Sequence, residues 1–162
     1  MTIDTTDAVS LVLEDPRDPA GAALVAELIA LLDGLYPEDA EEDPAPWTLE
    51  TVARTGAFVV ARVAGEAAGC GGLVPVAEPG ALEIVRMYVR AGHRGRRIAD
   101  RILAEIEIQA RARGAKALML RCGPRQPEAL RFYERNGYTP RPVFAHHREH
   151  PTNLFYEKRL GD

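Results

Sequence analysis

Apolar positions along this chain follow two rhythms, and the places where the rhythm changes mark the elements. Residues 9–13, VSLVL, predict a short first strand, and Asp18-Pro19 supplies a helix N-cap with proline at the first helical position. Leu24, Leu28, Leu31, Leu32 and Leu35 continue at helical spacing, with Gly34 placed to end the helix. Acids and prolines crowd between Tyr36 and Trp47, which predicts a loop, and a short helix is predicted over residues 48–54. From residue 57 two β-rich runs joined by a turn at residues 64–66 predict a hairpin; Gly69, Gly71 and Gly72 in its second arm predict a bulge or a close backbone contact. Residues 82–89 predict a mostly buried strand, and Ile98, Ile102, Leu103, Ile106 and Ala110 predict a helix that ends at Gly114. The strand over residues 117–122, ALMLRC, follows as a parallel neighbour, then a helix from Pro127 to Gly137, a loop, and a last strand in LFYEKRL.

The chain is organised around EIVRMYVRAGHRGRRIADR, Glu83 to Arg101, where the strand period gives way to the helical one at a cluster of arginines. Backbone N–H groups that converge on the open first turn of a helix lack intrahelical partners, and the helix dipole there favours negative charge. Arg94, Arg96 and Arg97 around such a turn point to phosphate.

Length and composition narrow the setting. A chain of 162 residues, 46% hydrophobic and 27% charged, fits one globular domain over residues 1–162. No apolar run approaches the roughly 20 residues of a membrane span, and the polar start has no signal-peptide character, so a cytoplasmic protein with no membrane association is expected. Cys70 and Cys122 form neither a disulfide framework nor a metal-ligand spacing. Residues 1–55 hold 13 acidic and 2 basic side chains, and the remainder holds 11 acidic and 18 basic. That split suits a basic portion that holds a phosphorylated cofactor beside an acidic portion that attracts a cation, or equally a set of solvated acidic faces.

Two motifs in order carry a resemblance. Arg94 to Ala99 after the RMYV strand resembles the acyl-CoA-binding motif Q/R-x-x-G-x-G/A of the GNAT superfamily of N-acetyltransferases, with Arg97 in place of the central glycine. Gln126, Ala129, Tyr133, Arg135 and Gly137-Tyr138 resemble the superfamily's N-x-x-A-x-x-x-Y pattern, with Gln126 in place of the asparagine. The resemblance implies an α/β (α+β) GNAT fold: a mixed, mostly antiparallel sheet of six to seven strands, splayed between strands 4 and 5 and flanked by about four helices. It implies an N-acetyltransferase that uses acetyl-CoA, with a small-molecule or peptide amine as acceptor and neither metal nor nucleic acid. The alternative is a GNAT-fold module that binds acyl-CoA without catalysis, and Arg97 either adds a phosphate contact or crowds the site.

Residue by residue, the resemblance implies that Met87, Tyr88 and Val89 hold the pantetheine arm and that Arg94, Gly95, Arg96, Arg97, Ile98 and Ala99 hold the pyrophosphate, with Gln126 and Tyr133 beside them. Removal of a proton from an aliphatic amine needs a base, for which Glu83 is the candidate, expected on one strand face with Val85, Met87 and Val89. Its plain reading is a surface or ion-paired glutamate, with Arg86 as the partner. Tyr133 is the candidate acid for the departing thiolate, or else a packed aromatic. Tyr36, Glu38, Asp39 and Trp47 are candidate acceptor contacts in a stretch that also reads as a solvated acidic loop. His146, His147 and His150 lie in a loop without cysteines or carboxylates in register, so no metal is expected and they read as exposed or acceptor-site residues. An exposed final strand would offer a route to a homodimer.

Overall fold

The computed structural model describes residues 8–39 and 48–161. Its strands are β1 (Val9–Leu13), β2 (Ala57–Val63), β3 (Glu66–Pro75), β4 (Ala81–Val89), β5 (Ala117–Cys122), β6 (Thr139–Arg141) and β7 (Leu154–Arg159). They form one sheet in the order β1-β2-β3-β4-β5-β7-β6, antiparallel except for the β4–β5 pair. Helices α1 (Pro19–Leu35) and α2 (Leu49–Thr55) cover one face, where Leu24, Val25 and Val52 pack on Phe58, Val60, Cys70 and Val85. On the other face α3 (Ile98–Ala112) lays Ile98, Ile102, Leu103, Ile106 and Ala110 on Val59, Ala61, Ile84, Leu118 and Leu120, and α4 (Pro127–Arg135) adds Tyr133. The sheet, its mixed pairing and the four helices match the expected GNAT fold.

Local chemistry explains most boundaries. Proline stands at the start of α1 and again of α4, and Thr48 caps α2 by accepting a hydrogen bond from the Thr51 amide at 3.2 Å. The β2–β3 turn places Ala64 and Gly65 at φ 51° and 85°, the left-handed pair that matches the twist of a hairpin. Helix α1 runs one residue past Gly34, because Tyr36 closes it with an N–H bond of 2.8 Å to the Leu32 carbonyl.

Two features of β4 position the site. It pairs with β5 only from Ala81 to Glu83, against Ala117 to Met119, and the two strands then part as far as Val89 and Cys122. Opposite β3, the register runs Cys70↔Tyr88 and then Gly72↔Val85, so β4 carries an extra residue there. Arg86 takes the left-handed conformation at φ 56°, and the Cys70 thiol donates to its carbonyl at 3.3 Å. Across from this bulge Gly71 lets α3 sit directly on the sheet, since a Cβ there would lie 2.7 Å from Ile106 Cδ1 and 2.8 Å from Ile102 Cγ2. The glycine cluster therefore serves both a bulge and a close approach.

Two expectations about strands are corrected. β6 lies in the stretch read as loop; three residues with a proline at the sheet edge carry no period to detect. As β6 occupies that edge, the last strand β7 is flanked by β5 and β6 and is not an exposed edge for a second copy.

Candidate active site

The parting of β4 from β5 opens into a cleft of about 640 Å³. Met87, Tyr88 and Val89 at the end of β4 line it, with Arg94, Gly95, Arg97, Ile98 and Ala99 at the start of α3 and Gln126 and Tyr133 on the α4 side. Of the expected cofactor contacts only Arg96 does not line the cleft. Its far wall is Leu28, Leu31 and Leu35 of the α1 apolar stripe, of which Leu28 is buried, Leu35 half-buried and Leu31 exposed. An apolar stripe reads the same whether it faces packed side chains or a ligand channel.

The basic loop builds a row of free donors. After a short 3-10 turn (Ala91–His93), Gly95 and Arg97 both adopt left-handed backbone, at φ 81° and 58°. Among the described residues the amides of Gly95, Arg97, Ile98, Ala99 and Asp100 have no hydrogen-bond acceptor, and the first helical bond runs from Arg101 to the Arg97 carbonyl. A glycine at position 97 would take this conformation without steric cost, whereas arginine is strained there by about 1–2 kcal/mol. Arg94 points back to the Val89 carbonyl at 3.0 Å and is otherwise exposed. Arg90, also in this basic run, is taken up by Glu27 of α1 through contacts of 2.6 and 3.0 Å. The only carboxylate in the first turn of α3, Asp100, is matched by Arg135 of α4 at 2.7 Å, so its charge does not oppose an anion.

Tyr133 is buried between Phe132 and Tyr138, with ring centroids 5.0 and 5.7 Å away, yet it lines the cleft. Burial holds its phenol well above the usual range, so the hydroxyl keeps its proton. Gln126 accepts a 3.3 Å hydrogen bond from the Tyr36 hydroxyl, which itself accepts from the Arg125 amide at 3.0 Å. Tyr36 is buried and packs against Gly123, where a Cβ would come within 1.9 Å of its oxygen. It therefore ties α1 to the start of α4 and is not a free acceptor contact. Glu38 is exposed and paired with Arg125, whose hydrogen bond holds the carboxyl below its usual range. Asp39 ends the 3-10 turn Pro37–Asp39, and Trp47 lies outside the described residues.

Glu83 is 1% exposed, so it is not a surface glutamate. The bulge also changes its company. Before Arg86, Val85 packs under α1 and α2 while Ile84 packs with the α3 core; beyond it Met87 and Val89 pack with the α3 core and Tyr88 takes the other side. The expected common face of Glu83, Val85, Met87 and Val89 is thus broken by one extra residue. Instead of an arginine, Glu83 meets the loop over residues 142–153: His147 Nε2 lies 2.8 Å from Oε2 and His146 Nε2 lies 3.9 Å from Oε1. His147 is wedged by Phe144 and Phe155, ring centroids 4.8 and 5.6 Å distant, and is not an exposed loop residue. Burial, followed by the neighbouring His147, lowers the pKa of His146. No sequence spacing links residue 83 to residue 147, so only the fold brings them together.

Comparison with known proteins places this geometry. An Azospirillum brasilense protein named IAA acetyltransferase is 35% identical over 153 residues, 94% of this chain and 98% of that protein. A Klebsiella pneumoniae crystal structure described as an acyl-CoA N-acyltransferase is 32% identical, with a TM-score of 0.78 over 95% of this chain and 99% of that one. The fold is also that of the PaiA N-acetyltransferase of Thermoplasma acidophilum in complex with coenzyme A, 15% identical with a TM-score of 0.65 over 94% of this chain and 99% of that one. The sequence profile described as Acetyltransferase (GNAT) family matches residues 21–138, which span α1 through the Tyr133 helix to Tyr138 and contain both motifs. The chain belongs to the GNAT family of acetyltransferases.

Proposed function

We propose that this protein transfers the acetyl group of acetyl-CoA to a primary amine by direct attack of the amine on the thioester. The observation that carries this reading is the cleft between the parted strands, which joins a row of free amides and exposed arginines at one end to apolar walls along its length. Those donors fit a pyrophosphate and those walls fit a pantetheine arm. Acetyl-CoA supplies the activated acyl group. The left-handed Arg86 disrupts the β3–β4 pairing beside Met87, where a main-chain N–H turned toward the cleft would polarise the thioester carbonyl.

In the transfer the C–N bond forms and the C–S bond breaks; the ammonium loses one proton before attack and a second as the amide forms, and the leaving thiolate gains one to become the free thiol. Glu83 is the proposed base: it does not itself line the cleft, so the proton reaches its unpartnered Oε1 through water. Tyr133 is the proposed acid for the departing thiolate: it lines the cleft, and burial keeps its hydroxyl protonated until that step. The acidic first third of the chain favours a cationic acceptor. The A. brasilense relative adds IAA to the compounds worth screening.

Calorimetry with acetyl-CoA, followed by an acceptor screen read as thiol release, tests the reading. Tyr133→Phe is expected to lower turnover about a hundredfold with little change in acetyl-CoA affinity. Equal losses in both would assign Tyr133 to packing. Tight acetyl-CoA binding with no thiol release for any acceptor would overturn the catalytic reading in favour of a non-catalytic acyl-CoA-binding module.

A further inference from the structure

On the sheet face opposite α3, three side chains that no motif connects converge. We propose that Glu83, His146 and His147 form a binding site for a divalent metal ion of the zinc class, separate from the cofactor cleft.

The three ligand atoms lie within 4.8 Å of one another. A four-coordinate zinc site with bonds of about 2.0–2.1 Å separates neighbouring ligand atoms by roughly 3.4 Å. The observed separations, 2.8 Å from His147 Nε2 to Glu83 Oε2 and 3.9 Å from His146 Nε2 to Glu83 Oε1, straddle that value. With all three ligand atoms within 4.8 Å of one another, shifts of about an ångström would gather them around an ion, within what side-chain torsions absorb. Two imidazoles and one carboxylate are also the donor set of open zinc sites, which leave a fourth position for water.

Independent support comes from Glu83 itself. Its Oε1 is buried without a hydrogen-bond partner on a carboxylate that is 1% exposed. Such an orphaned oxygen is costly in a protein interior, and a cation would satisfy it. The scaffold is also prepared. Consecutive side chains of an extended loop point apart, but Ala145 in the left-handed conformation, φ 50°, precedes a pair of rings whose centroids are only 4.0 Å apart. Phe144 and Phe155 fix the His147 ring, whereas His146 is one-third exposed and leaves a path for the ion. Two imidazole nitrogens beside a single carboxylate disfavour Mg²⁺ and Ca²⁺, which take oxygen ligands. Zn²⁺, Co²⁺ and Ni²⁺ gain enough from imidazole nitrogen to bind.

An ion here would occupy the Glu83 lone pairs. If Glu83 is the base, a clause that rests on the function proposed above, the metal inhibits transfer and a chelator restores it.

The test titrates the chelator-stripped full chain with Co²⁺, read by the visible absorption of the four-coordinate ion, and with Zn²⁺ by calorimetry. One equivalent is expected to bind. His146→Ala, at the exposed corner, is expected to weaken binding about tenfold or more and to leave acetyl-CoA affinity unchanged, which certifies the fold. Uptake of no ion by the wild type, or equal uptake by His146→Ala, overturns the site. Mg²⁺ bound as tightly as Co²⁺ overturns it too. Uptake of Co²⁺ with transfer undiminished upholds the metal site and overturns Glu83 as base, so the two proposals fail separately.

Discussion

Replacement of Arg97 by glycine separates backbone strain from ligand charge, because the two effects have opposite signs. Arg97 sits at φ 58°, ψ 25° as the N-cap residue of α3, makes no side-chain cap and is exposed. Glycine relieves a left-handed strain of about 1–2 kcal/mol and adds about 0.5–1 kcal/mol of chain entropy to the unfolded state. The net is a stabilisation of about 0.5–1 kcal/mol, a rise in Tm of about 1–4 °C for a chain of this size. Affinity should move the other way. If the proposed function holds, a guanidinium at the mouth of the cleft contributes charge-assisted contacts to the pyrophosphate, so Arg97→Gly should weaken acetyl-CoA binding by about tenfold and flatten its dependence on salt. Thermal unfolding and calorimetry at two ionic strengths read both effects on the same preparations. A variant less stable than the wild type would refute the strain argument. One that binds acetyl-CoA more tightly would show that the arginine crowds the site.

Gly71→Ala puts a Cβ 2.5 Å from Met87 Sδ as well as against α3, so it should cost about 1–3 kcal/mol in urea unfolding and weaken acetyl-CoA binding by displacing the helix that carries the amides; wild-type stability would refute that packing. Cys70 and Cys122, whose thiols burial pushes up to about 12 and about 11, should resist a thiol reagent at pH 8 in the folded protein and react at once in denaturant.

The fold was legible wherever a residue's role is local. Pro19, Pro127, Gly114 and Gly137 bound their helices because proline and glycine act on the backbone at their own positions. The α3 stripe was legible because five apolar residues in register leave one way to bury them. The lining of the cleft was legible only at the basic loop, where Arg94, Gly95, Arg97, Ile98 and Ala99 lie close together in sequence. Arg86 gives no sign in sequence that it will turn left-handed, so the alternation assumed from Glu83 to Val89 failed at that residue. The histidines near Glu83 were illegible for a different reason. Their contact joins residues 64 positions apart through a loop that has no period of its own.

The single extra residue in β4 works as a half-turn in a ribbon. Up to Val85 the strand shows its odd side chains to one half of the molecule, and from Met87 onward to the other. The chain can therefore redraw the loop of residues 142–153, which meets Glu83, without altering the register of the strand end that lines the cleft. In evolutionary terms the bulge uncouples two surfaces of one strand, so one half can vary while the other is held constant.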